Sequence, residues 1–217
     1  MRRWPLVLLT FAGCAGLATE PEPEPAPVTA GGGLVSFDET PPAGAATYAR
    51  PQWQVGDEFE LERGGAARLR LSVAAIDERG YVLTTGGQVV LRRDLDLANL
   101  GEWVAAEDRP LHVLEPADLR YHWPLWLGKR WACEFTEVFG DGRRVPMRAS
   151  CVVEDLDEVA VPAGTFAALR IVRRLQRVDQ EGAPIFTQVI WYAPEVGHEV
   201  RQILADQSVE LVSFQRR

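Results

Sequence analysis

The chain is poor in the residues that most catalytic sites are built from. Of its 217 residues, three are cysteine and three histidine, and Lys129 is the single lysine beside 22 arginines. No Cys-x-x-Cys spacing is present, which excludes the common dithiol redox site. No Gly-x-Ser-x-Gly elbow, His-Glu-x-x-His string or glycine-rich phosphate loop occurs either. His112, His122 and His198 follow no metal-ligand spacing, so neither a metal nor another cofactor is expected. Carboxylates are plentiful, but nothing in the sequence pairs them in space, so no catalytic residue is nominated. An excess of positive charge is also lacking. The net charge of -8 argues against nucleic acid and against docking on anionic lipid. Helical periodicity over three turns is absent as well, which removes helix bundles and α/β folds.

What the chain does have begins at its N-terminus. Arg2-Arg3 is followed by a short apolar stretch from Trp4 to Phe11 and then Ala12-Gly13-Cys14. The apolar stretch is far shorter than the roughly 20 residues a spanning helix needs. Residues 1–13 therefore read as an export signal. Ala12-Gly13-Cys14 resembles the bacterial lipoprotein cleavage box, with Phe11 where leucine is usual. The resemblance implies that Cys14 becomes the first mature residue and carries the lipid. Ordinary secretion with loss of the signal is the alternative. Ala15, rather than aspartate, follows the cysteine, and in a Gram-negative envelope that points to the outer membrane, facing the periplasm. Loss of Arg2 and Arg3 would take the mature chain from -8 to about -10.

Residues 14–50 read as a tether. Glu20-Pro21-Glu22-Pro23-Glu24-Pro25-Ala26-Pro27 has no core-forming residues, and Gly31-Gly32-Gly33 follows it. Residues 51–217 are long enough for one domain with a core of its own. They read as antiparallel β throughout, about 9–11 short strands in a highly curved sheet or incomplete β-barrel. The first hairpin can be placed in register. A loop of odd length centred on Gly65 puts Leu61 on Leu69 and Phe59 on Leu71, and matches Glu62 with Arg68 and Glu60 with Arg70. The stretch from Arg92 to Pro116 is the least decipherable: Asp94-Leu95-Asp96-Leu97 reads as a strand or part of a helical turn, and Pro110 and Pro116 point to a long surface connection.

Cys133 and Cys151 flank Gly140-Asp141-Gly142. A hairpin with its tip at 142 brings them opposite each other on the core face. In an exported protein this predicts a disulfide, with two buried free thiols as the alternative.

Three strings stand out: Trp123-Pro124-Leu125-Trp126-Leu127-Gly128-Lys129-Arg130-Trp131, Val161-Pro162-Ala163-Gly164-Thr165-Phe166, and Trp191-Tyr192-Ala193-Pro194-Glu195-Val196-Gly197. Their order resembles a family of bacterial envelope β-proteins, often lipoproteins, whose function is unassigned. That resemblance spans roughly Trp123 to Phe214 and brings no active site with it. Read physically, the strings are bends and turns. Trp123, Trp126 and Trp131 either pack in the core or line an apolar ligand cavity. The expectation is thus a lipid-anchored, non-enzymatic envelope protein. It would carry an apolar ligand or, alternatively, act as an assembly accessory that binds another envelope protein. A hydrolase is the remaining, weakest option.

Overall fold

The computed structural model describes residues 33–65 and 67–217, so the signal segment, Cys14 and the first part of the tether lie outside the described residues. The described residues form thirteen strands, and none of them is helical. In chain order they are β1 (Leu34–Phe37), β2 (Glu58–Arg63), β3 (Ala67–Asp77), β4 (Gly80–Thr84), β5 (Val89–Arg93), β6 (Asn99–Val104) and β7 (Arg109–Asp118). There follow β8 (Arg130–Phe139), β9 (Arg144–Val161), β10 (Gly164–Arg177), β11 (Phe186–Ala193), β12 (His198–Leu204) and β13 (Gln207–Gln215). All pairings are antiparallel, as the sequence predicts. The strand count exceeds the expected range, and the sheet closes. β2 to β13 form a ring sealed by β2 against β13 and by β8 against β9, and β1 adds to the free part of β8. Closure removes the sheet edges that a curved open sheet would leave unpaired.

The first hairpin has the expected register. Leu61 faces Leu69, Phe59 faces Leu71, Glu62 faces Arg68 and Glu60 faces Arg70. The ion pairs partly run diagonally: Arg68 reaches Glu62 at 3.4 Å and Glu60 at 3.3 Å, while Arg70 pairs with Glu58.

Two expectations about chain layout are corrected. Residues 92–116 are not a surface connection, because they contain β6 and most of β7. Their alternation is blurred by a tight turn in which Asp94 accepts bonds from the Asp96 and Ala98 amides and Leu97 takes φ 65°. A bulge beside Gly101 interrupts it again. Within residues 33–50, expected to lie in the tether, two short segments pair with the barrel. Leu34–Phe37 pairs with β8, and Tyr48 bridges Leu125.

The expected disulfide is also corrected. Cys133 faces Ala149 and Cys151 faces Trp131, so the hairpin is centred at 141 and the two cysteines are diagonal neighbours. Both are free and buried. Burial pushes the Cys133 thiol up to about 11 and the Cys151 thiol up to about 12.

Because consecutive strands alternate in direction, the hairpin turns gather at two ends. One end carries the turns at Gly65, 85–88, 105–108, 140–143, 178–185 and 205–206. The other carries 78–79, 94–98, 119–129, 162–163 and 194–197. This second end is stoppered. Trp53 is 2% exposed, and its indole donates to the Gly197 carbonyl at 2.8 Å. Tyr121 and Leu125 from the long 119–129 connection pack beside it in the main core, which continues through Phe59, Leu83, Ile171, Ile190 and Leu211. A latch holds the chain termini of the barrel together there. Fully buried Asp57 accepts from Arg216 Nε at 2.8 Å, from the Arg217 amide at 2.7 Å and from the Gln54 amide at 2.9 Å.

Candidate functional site

The first end is open and leads to a cavity of about 330 Å³ inside the barrel. Its walls come from inward positions of several strands. Leu114 of β7, Phe135 of β8, Leu175 of β10 and Leu204 of β12 supply apolar surface. Phe186, which faces Leu175 across β10 and β11, is 52% exposed at the rim. Leu69, on the opposite wall, is 37% exposed.

Below this apolar collar the lining turns charged. Arg93, Arg120, Arg173, Asp118 and Gln188 all border the cavity, and the three arginines are 7%, 8% and 3% exposed. The strands explain why guanidinium groups point inward. Arg173 faces Cys151 on one side and Gln188 on the other, between the inward residues Ile171 and Leu175 of its own strand. It pairs with Asp118 and donates to the Gln188 side-chain oxygen at 3.1 Å. Arg120 donates to Gln202 Oε1 at 2.8 Å and lies 3.0 Å from Glu199 Oε1. Arg93 lies 3.8 Å from that same oxygen, with its guanidinium 5.5 Å from the Trp53 ring.

Glu199 is therefore shared between two arginines, and it is 6% exposed. Burial works to raise its carboxyl, but Arg120 and then Arg93 overcome this and hold the group well below the usual carboxylate range. His198 is stacked on Phe59 with ring centres 4.3 Å apart and has Nδ1 3.1 Å from Glu199 Oε2. Burial holds its imidazole below the ordinary histidine value, against the pull of Glu199. An arrangement of this kind can bind and orient charge. No group of three metal-ligating side chains converges among the described residues.

The three tryptophans do not border this cavity; they sit at the stoppered end. Trp131 is 2% exposed and donates its indole N–H to the Leu119 carbonyl at 3.1 Å. It also borders a groove of about 210 Å³ shared with Arg130 and Arg174. Trp126 is buried under the Lys129 amine, which lies 4.0 Å from its ring and donates to the Pro124 carbonyl. Trp123 packs on Tyr121 and Tyr192 and donates to the Asp96 carbonyl at 2.8 Å. An apolar cavity framed by these rings is thus replaced by packing. The two further strings are turns: Pro162-Ala163 joins β9 to β10, and 194–197 joins β11 to β12.

Arg93, Arg120, Arg173 and Asp118 escaped the sequence reading. One signal was available. Arg173 occupies an inward position in the alternation Leu169, Ile171, Arg173, Leu175, but Arg170, Arg174 and Arg177 surround it and hide the exception.

The site and fold define the molecule as a closed antiparallel barrel, blocked at one end, with a partly charged interior open at the other. No protein-family model matches the sequence, and no curated protein matches it significantly. Solved structures of similar shape exist. One is the hypothetical lipoprotein YmcC of Escherichia coli, with TM-score 0.45 and 11% identity over 76% of this chain and 90% of that one. Another is a predicted lipoprotein from Parabacteroides distasonis, with TM-score 0.47 and 9% identity over 78% of this chain and all (100%) of that one. A predicted exported protein with a YmcC-like fold from Bacteroides fragilis has TM-score 0.45 and 14% identity over 79% and 100%. No residue role is carried over from them.

Proposed function

We propose that this chain is an envelope lipoprotein, anchored through Cys14 at the outer membrane and facing the periplasm, whose barrel is a non-enzymatic binding module. Its ligand has an apolar part and is taken in through the open end. The observation that carries this reading is the cavity of about 330 Å³ behind a collar of Leu114, Phe135, Leu175 and Leu204. That volume lies at the small end of the range for ligand pockets. The apolar component of the expected ligand is kept, and its place moves from the tryptophans to this collar.

The test uses the full chain carrying Cys14→Ala, handled without detergent, and the neutral fluorescent probe N-phenyl-1-naphthylamine. Saturable uptake near one probe per chain is expected, and Leu204→Arg at the mouth should abolish it. Absence of uptake by the unblocked chain would overturn the reading. The same Cys14→Ala chain should leave the membrane fraction; if it stays membrane-bound, the anchor assignment is wrong.

One observation favours a second reading. Val178, Ile185 and Phe186 are 51%, 58% and 52% exposed around the β10–β11 connection. Such a surface suits an accessory that docks on another envelope protein. An empty barrel together with loss of a co-purifying partner in Ile185→Asp would support it.

A further inference from the structure

We propose that Arg93, Arg120 and Arg173 form an anion subsite on the floor of the cavity, and that the ligand is an amphiphilic monocarboxylate: carboxylate down, acyl chain in the apolar collar. The inference rests on the reading of the cavity as a ligand site and goes further by naming the ligand's chemical class.

Three observations support it. First, each arginine is more than nine-tenths buried, borders the cavity, and keeps a nitrogen without a hydrogen-bond partner: Nη1 of Arg93 and Nε of both Arg120 and Arg173. Buried guanidinium donors are almost always satisfied, because each one stripped of water and left unpaired is costly. A carboxylate has two oxygens and about four lone-pair sites, the acceptor such donors match best.

Second, the charge on the floor does not balance. Three guanidinium groups meet two carboxylates, Asp118 and Glu199. His198, neutral because burial lowers its proton affinity, adds nothing. One positive charge is left over, which a single carboxylate cancels. Glu102 and Glu137 stand off the floor, on the stretches of β6 and β8 nearer the open end, and disfavour a second negative charge on the ligand. Arg92, the remaining charged neighbour, is turned away to Asp77 at 2.7 Å and Asp108 at 3.2 Å.

Third, the polarity is layered in one direction. Arginines lie on the main core, Leu114, Phe135, Leu175 and Leu204 stand above them, and Phe186 is exposed at the rim. A purely apolar ligand would strand the arginine donors. A purely polar anion would leave the collar without a partner.

The experiment is displacement of N-phenyl-1-naphthylamine from the full Cys14→Ala chain by decanoate and by decan-1-ol, which share a chain and differ in charge. Decanoate should displace the probe at a concentration at least tenfold lower than decanol. In Arg93→Gln, which leaves Arg120 on Glu199, the decanoate advantage should fall about tenfold while decanol is unchanged. Equal potency of the two in the parent chain, or an unchanged decanoate value in a folded Arg93→Gln, would overturn the subsite. If Arg93→Gln does not fold, the parent comparison decides alone. Equal potency leaves the cavity a binding site and removes only the anion subsite, whereas failure of any probe uptake removes the cavity reading itself.

Discussion

Glu199 faces two guanidiniums across the barrel floor, 3.0 Å from Arg120 and 3.8 Å from Arg93, with almost no access to water. Removing one member of such a buried set leaves the others uncompensated, which costs about 3–5 kcal/mol. Glu199→Gln should therefore lower the urea midpoint by an amount equivalent to about 3 kcal/mol with an unchanged slope. A change below about 1 kcal/mol would mean that the arginines find other partners. The cysteines give a second residue-scale prediction. As diagonal, buried thiols pushed far above neutral pH, Cys133 and Cys151 should be inert to a thiol reagent in the native protein. Both should react after unfolding without reductant. Absence of reactive thiols in the unfolded chain would mean that they are bridged after all.

At the scale of the element, β6 and β7 approach each other so closely at Gly101 that only glycine fits. Gly101 has φ 129°, and a Cβ there would lie 2.1 Å from the His112 carbonyl oxygen. This close approach lets the bulged β6 keep its place in the cavity wall. Gly101→Ala should destabilise the protein by about 2–3 kcal/mol, more than the strain of the dihedral alone. Gly142 is the control: it has φ 84° with open space around the missing Cβ. Gly142→Ala should cost about 1 kcal/mol. Equal losses in the two variants, measured by chemical denaturation, would show that the contact with β7 is not tight.

Over the whole molecule, the half-buried His122 and the buried His198 dominate the pH response between neutrality and mild acid. Burial, helped by Lys129, lowers His122 to about 4, and burial likewise lowers His198. Unfolded histidine titrates near pH 6.5. Between those values the unfolded chain takes up protons that the folded chain refuses, so stability is complete above about pH 6.5 and declines as pH falls toward 4. The melting temperature should fall from pH 7 to pH 4.5. His122→Asn should flatten that slope in part, with His198 and, toward pH 4.5, Glu199 supplying the rest. A flat profile in the parent chain would contradict the low proton affinity that burial gives the two rings.

Alternation and turn residues, read from the chain alone, determined the all-antiparallel class and the register of the first hairpin. These depend on neighbours a few residues apart, and cross-strand charge and side-chain size constrain them locally. Closure of the ring was decided only in three dimensions. Beyond the β8–β9 hairpin, it depends on β2 meeting β13, a contact that joins opposite ends of the barrel's chain. The hairpin centre at 141 rather than 142 was decided by the pairing of whole strands, and a shift that small separated the cysteines. The cavity floor was the least legible part. Arg93, Arg120 and Arg173 look in sequence like any of the 22 arginines; the closed sheet turns Arg93 and Arg173 inward, and the 119–129 connection brings Arg120 to them, to share two carboxylates.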